Sequence, residues 1–88
     1  KVAFFNEVFD LCESAGIDYN QVKALVGEDK RITDSHMQVP GPDGDKGFGG
    51  ACFPKDTEAL LYSANVIGAT LPILSTAVKS NKNIRKEK

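Results

Sequence analysis

The sequence has no tryptophan, a single methionine, a single histidine and two cysteines. These scarcities exclude several kinds of chemistry. Cys12 and Cys52 stand far apart and form no Cys-x-x-Cys pair, so neither a redox motif nor a metal knuckle is present. His36 stands alone, and the chain builds no zinc site and no Ser-His-Asp triad. No apolar run approaches the ~20 residues that a membrane-spanning helix needs. Lys1 is followed by an amphipathic stretch rather than by the apolar core of a signal peptide. Charge of one sign is also missing: 11 basic residues face 12 acidic ones, for a net charge of −1. Without a basic field, nothing draws nucleic acid. The expectation is a cytoplasmic chain that binds neither membrane nor nucleic acid, and no metal.

What is present fits one globular domain. The 88 residues are 41% hydrophobic and 26% charged and leave no room for a second domain. A domain of this size buries only about 60–65% of its unfolded surface, so it is expected to dock onto something. No strand-type alternation of apolar and polar residues occurs anywhere. Helical spacing does. Val2, Phe5, Phe9 and Cys12 form one stripe, with Phe4, Val8, Leu11 and Ala15 beside them, and Gly16 closes the segment. Only Lys1 precedes this helix and offers no cap, so the chain reads as a fragment of a longer one. Asp18 caps a second helix with Val22, Leu25 and Val26 as its apolar face and Gly27 as its stop.

Glu28 to Arg31 are four consecutive charges, and the stretch from Val39 to Gly50 holds five glycines and two prolines. No regular element survives that composition, so a long glycine- and proline-rich loop is expected between the second and third helices. Pro54 suits the first turn of a third helix with Ala59, Leu60, Ala64 and Ile67 on one side and Gly68 at its end. Thr70 is expected to cap a fourth, with Pro72 in its first turn and Leu71, Leu74, Ala77 and Val78 as its apolar side. Five basic residues between Lys79 and Lys88 complement a helix C-terminus that then frays. The fold class is therefore all-α, with about four helices.

The chemistry concentrates in Gly47-Phe48-Gly49-Gly50-Ala51-Cys52-Phe53-Pro54-Lys55-Asp56. Cys52 lies between a glycine-rich loop and a helix N-terminus, where free backbone N–H groups and the positive end of the helix dipole favour thiolate. Lys55 adds positive charge. The glycines let a ligand approach the backbone. Asp56 lies four residues beyond Cys52, on the same face if the helix starts at the cysteine. A thiolate with a carboxylate one turn away suits acyl transfer through a covalent intermediate. The residue pattern alone leaves Cys52 open between this role and inert packing, while Cys12, on an apolar stripe, reads as core. Three look-alikes fail. The glycine run is not a dinucleotide fingerprint, Gly44–Lys46 lacks the ending of a P-loop, and Asp43 and Asp45 begin a calcium loop that Gly47 and Pro54 break.

This ten-residue run resembles the active-site cysteine motif of the UDP-glucose/GDP-mannose dehydrogenase family. Phe5-Asn6-Glu7, Leu11-Cys12-Glu13 and Gly16 resemble that family's central helix, and Asp29-Lys30-Arg31-Ile32 resembles its D-x-R-I element. The resemblance covers essentially all of residues 1–88 and places them in the family's central domain. It implies an enzyme that oxidises the C6 alcohol of a nucleotide sugar to a carboxylate with two NAD⁺. In that scheme Cys52 attacks the intermediate aldehyde, the thiohemiacetal is oxidised to a thioester, and water hydrolyses it with help from Asp56. Arg31 would reach a substrate on the neighbouring subunit of a homodimer built on the first helix. Gly47 to Gly50, with Phe48, Gly49 and Gly50 as contacts, would lie along the nucleotide sugar, joined by His36. Lys55 would face the NAD⁺ cofactor. Val39 to Lys46 departs from the family pattern as an insertion, and His36 and Gln38 stand where an aromatic and a lysine are common. Two other classes compete: a helical dimerisation module with a non-catalytic Cys52, and a cysteine hydrolase that uses His36 as base.

Overall fold

A computed structural model describes residues 1–50 and 52–85. Ala51 of the cysteine motif, and Lys86 and Lys88 of the basic tail, lie outside the described residues. The described residues form four helices and no strand: α1 (Val2–Ala15), α2 (Tyr19–Gly27), α3 (Phe53–Val66) and α4 (Pro72–Arg85). No helix among them is long and apolar enough to cross a membrane.

The chain's punctuation explains most of the boundaries. Gly16 adopts the left-handed conformation (φ 72°), and Ile17 N–H then reaches back to the Cys12 carbonyl at 2.9 Å, closing α1. Asp18 accepts from Asn20 N–H at 2.9 Å and caps α2. Pro54 occupies the first turn of α3, where its missing N–H costs nothing.

Two boundaries differ from expectation. Gly27 does not stop α2 but is its last helical residue, and Glu28 follows in right-handed helical conformation. Its small size is needed instead because a β-carbon there would meet the Asp34 Cβ at 3.1 Å. α4 begins at Pro72, so Leu71 occupies the flanking position and Thr70 lies outside the helix it was expected to cap. The fixed proline φ sets that start more firmly than a threonine hydroxyl does.

α1 packs on both α2 and α4, whereas α3 packs on α4 alone among the helices. The core is small: Phe5 and Cys12 of α1, Tyr19 of α2, Ala64 of α3, Val78 of α4, and Met37 from the long connection. Met37 is 0% exposed, so the connection carries the centre of the core rather than skirting it. The Tyr19 hydroxyl donates to the Met37 carbonyl, and the Phe9 ring stands edge-on to Tyr19 at 5.4 Å. Burial, and secondarily Cys12, push the Tyr19 phenol above its ordinary range.

Much apolar surface stays outside. Leu60 and Ile67, expected on the inner side of α3, are 54% and 81% exposed, leaving Ala64 as the buried contact. Phe4 and Leu11 of α1 are likewise exposed. The radius of gyration, 14.3 Å, exceeds the ~12 Å of a self-contained domain of this length. An open arrangement of helices explains both observations, because each helix has too few neighbours to cover its apolar face.

The burial pattern sets an order of importance. Met37→Ala is expected to destabilise by about 2–5 kcal/mol, while Leu25→Ala, at a position 71% exposed, changes stability by less than about 0.5 kcal/mol. Denaturant unfolding of both variants checks this, and equal effects would contradict a core centred on Met37.

Candidate functional site

The connection from α2 to α3 folds into successive turns. Asp43 carries one of them: Gly44 N–H donates to the Gly41 carbonyl at 2.9 Å, and Asp45 N–H donates to Asp43 Oδ1 at 3.1 Å. Beyond this turn the glycine run enters the space between α1 and α4, where two buried asparagines meet it. Asn6 on α1, 2% exposed, accepts from Gly47 N–H at 2.8 Å through Oδ1 and donates to the Val2 carbonyl at 2.9 Å. Asn81 on α4 accepts from Phe48 N–H at 2.7 Å and donates to the Phe48 carbonyl at 2.8 Å.

Arg85, one turn further along α4, donates from Nη2 to Asp43 Oδ2 at 2.9 Å. Lys46 pairs with Asp10 of α1 and lies 5.4 Å from the centre of the Phe9 ring. These contacts explain two glycines. Gly47 has φ 77°, and a β-carbon there would collide with Asn81 Oδ1. A β-carbon on Gly49 would collide with the Arg85 guanidinium.

Above this loop lies a cleft of about 450 Å³, lined chiefly by His36, Asp43, Phe48, Gly49, Phe53 and Arg85. Three of the predicted contacts, Phe48, Gly49 and Gly50, line it, as does His36. His36 sits at φ 61°, a conformation most side chains avoid. Its ring lies tilted against Phe53 with centroids 5.9 Å apart, and Phe48 meets Phe53 edge-on at 6.2 Å. An aromatic wall thus faces a backbone floor, an arrangement suited to a flat, hydroxyl-rich ligand.

Cys52 occupies the N-cap position of α3 and is exposed. Phe53 after it and Gly50 two residues before it both line the cleft. Asp56 donates its backbone N–H to the Cys52 carbonyl at 2.8 Å, so the helix does start at the cysteine and Asp56 follows one turn later. Lys55 is exposed in the same turn.

Arg31 lies elsewhere. It forms a two-point ion pair with Asp29, at 3.1 Å from Nε and 2.8 Å from Nη2, with its side chain 88% exposed. Those bonds hold the Asp29 carboxyl below the usual range and raise the guanidinium. Solvent screening leaves such a pair little influence on stability. Arg31 contributes nothing to the cleft of its own chain.

Four residues of the site that sequence reasoning does not reach are Asp43 and Arg85, which line the cleft, and Asn6 and Asn81, which hold the loop from beneath. A signal for two of them existed: Leu71, Leu74 and Val78 continue at helical spacing to Asn81 and Arg85. Polar residues on an apolar stripe need partners, and the glycine loop supplies them. Among the described residues no group of His, Cys, Asp and Glu could hold a metal ion.

Residues 1–83 match the model of the UDP-glucose/GDP-mannose dehydrogenase family, central domain, and the chain belongs to that family. Among similar proteins, the UDP-glucose 6-dehydrogenase YwqF of Bacillus subtilis is 36% identical over 83 residues, which cover 94% of this chain and 18% of that protein. The UDP-glucose 6-dehydrogenase of Rhizobium meliloti is 39% identical over 83 residues, with the same coverage. That of Rickettsia typhi is 42% identical over 82 residues, covering 93% of this chain and 18% of the relative. The chain thus spans about 18% of the length of the relatives it matches.

The loop latch has a pH signature. The bond from Asp45 N–H first, then that from Arg85, hold the Asp43 carboxyl below its usual range. A depressed folded value means that the contribution to stability is complete above the unfolded carboxylate value of about 3.9 and is lost as pH falls through the folded one. An NMR titration of the Asp43 carboxyl carbon is expected to show a midpoint below about 3.9 that rises in Arg85→Ala. A midpoint at or above that value in the unchanged protein would contradict the latch.

Proposed function

We propose that this chain is the central, cysteine-bearing domain of an NAD-dependent nucleotide sugar 6-dehydrogenase, with UDP-glucose as its substrate class. The longer protein would work in the cytoplasm as a homodimer, with residues 1–88 as one part of it. The observation that carries the reading is the placement of Cys52. It is exposed at the start of α3, beside a cleft floored by glycine backbone and walled by aromatic rings, within the matched family domain. The proteins it resembles are named UDP-glucose 6-dehydrogenases.

In this reading the sugar lies on Phe48, Gly49 and Gly50, against His36. The Cys52 sulfur adds to the C6 aldehyde carbon, forming a C–S bond while the carbonyl oxygen gains the electron pair and a proton. NAD⁺ bound elsewhere in the longer protein would supply the hydride acceptor that takes this thiohemiacetal to the thioester, whose acyl carbon water then attacks. Asp56 takes the proton from that water, and the C–S bond breaks to return the thiol and leave a carboxylate. The described residues do not form a cradle for a dinucleotide: they include no strand, and the glycine run does not follow one. NAD⁺ is therefore assigned to the rest of the longer protein, with Lys55 as the residue of this chain nearest that role.

Arg31 is assigned to the partner subunit's site. Its position outside its own chain's cleft and its 88% exposure support reach to another chain. The exposed Phe4 and Leu11 on α1 support an apolar contact between copies. Release from Asp29 is cheap for a pair so exposed, and the planar fork suits hydroxyl and phosphate oxygens.

Two experiments test the proposal in the full-length protein. Cys52→Ala is expected to abolish acid formation, and Cys52→Ser to stall as a covalent ester visible by mass spectrometry. Uronate formation by the alanine variant near the parent rate would remove Cys52 from the mechanism. For Arg31, subunits carrying Arg31→Ala are mixed with subunits carrying Cys52→Ala. One site of each heterodimer then carries neither lesion, so about half the parent activity per heterodimer returns. No recovery, with subunit exchange confirmed, would place Arg31 outside the partner's site.

A further inference from the structure

Three backbone groups of two consecutive residues of the glycine run, Gly47 N–H, Phe48 N–H and Phe48 C=O, are each bonded to an asparagine side chain from a different part of the chain. Neither asparagine is a natural choice for packing. Asn6 is 2% and Asn81 7% exposed, and Asn81 continues the stripe that buries Val78. An apolar side chain at either position would gain burial, whereas an amide must first be stripped of water. The hydrogen bonds to the loop offset that loss. The amides therefore serve the shape of the loop.

The next two residues complete the picture. Gly49 and Gly50 line the cleft, and their N–H groups have no hydrogen-bond partner among the described residues. The run is thus gripped along Gly47 and Phe48 and left open at Gly49 and Gly50. The grip is specific to its partner, since a β-carbon on Gly47 would strike Asn81 Oδ1.

We propose that Asn6 and Asn81 are positioning residues for the nucleotide sugar: they fix the Gly47–Phe48 backbone so that the Gly49 and Gly50 N–H groups meet the ligand. This rests on the function proposed above and adds to it the two side chains that set affinity from beneath the loop. They touch neither substrate nor cofactor, so their loss is expected to fall on substrate binding.

The test uses the full-length protein with UDP-glucose and NAD⁺. Asn81→Ala is expected to raise KM for UDP-glucose by about tenfold, the loss of a hydrogen-bonded contact. KM for NAD⁺ and kcat stay within about twofold, because a positioning group acts on ground-state binding. The melting temperature changes little. Asn81→Asp, which keeps the acceptor for Phe48 N–H but turns an oxygen toward the Phe48 carbonyl, raises KM as well. Gly47→Ala also raises KM, and the double variant Gly47→Ala, Asn81→Ala loses less than the product of the two single effects, because the collision partner is gone.

An unchanged KM for UDP-glucose would overturn the proposal. So would a joint fall of kcat, both affinities and melting temperature, which is the mark of a purely structural role, or strictly multiplicative effects in the double variant. Failure of the unchanged protein to oxidise UDP-glucose would instead overturn the proposed function. The clamp is then read without substrate, from hydrogen exchange at Phe48 N–H. Protection lost in Asn81→Ala sustains the clamp, and equal exchange in both proteins overturns it.

Discussion

Asn81 gives its whole amide to one residue of the loop, accepting from Phe48 N–H and donating to Phe48 C=O. A glycine run has no side chains to pack and no ladder to join, so its backbone polar groups must find partners wherever it leaves water. A side-chain amide carries both a donor and an acceptor and can match the N–H and C=O of a single residue. With Asn6 holding the preceding N–H from α1, the loop becomes a shared part of two helices. The cleft floor, the approach to Cys52 and the seat of Arg85 all follow from that attachment. The glycines at 47 and 49 are the matching half, small where the amide and the guanidinium press closest.

The second constraint is Met37. A connection as long and polar as the one between α2 and α3 would ordinarily run over the surface. Here it turns inward and contributes the most buried side chain of the described residues, with the Tyr19 hydroxyl satisfying the carbonyl carried in with it. Pinning the middle of the connection to the core shortens the span left free. His36, next to Met37, is thereby held over the cleft in a backbone conformation that costs energy. The anchored methionine and the Phe53 ring tilted against His36 together overdetermine that position.

The helix that Cys52 precedes has, like α2, a single helical neighbour. α3 packs on α4 alone, and its ion pair to α4, Glu58 with Lys82 at 2.8 Å, lies in solvent. Leu60, Tyr62, Val66 and Ile67 remain exposed along it. The loop side of the site is therefore set by buried amides, while the thiol side is set by aromatic contact of Phe53 with Phe48 and His36. Cys52 and the buried amides that support the loop are thus placed on different elements.

Local chemistry was readable from residue order. Gly16, Asp18 and Pro54 act within a few residues of themselves, and each placed its helix boundary because capping is a short-range interaction. The stripe of α1 and the separation of Cys52 from Asp56 by one turn were equally legible, since helical periodicity needs no partner to be seen. The ten-residue cysteine run and the elements around it carried the family as well.

What only the tertiary structure decided is everything that depends on which faces meet. Leu60 and Ile67 look like core in sequence and are exposed, because α3 has one neighbour. Gly27 looks like a stop and is a packing gap for Asp34. Asn6, Asp43, Asn81 and Arg85 converge on the loop through hydrogen bonds that span up to 42 residues of sequence. A hydrogen bond between distant residues leaves no periodic trace in the chain. Sequence thus determined the helices and the place of Cys52 at the start of one of them, and tertiary packing decided which side chains hold the glycine loop beside it.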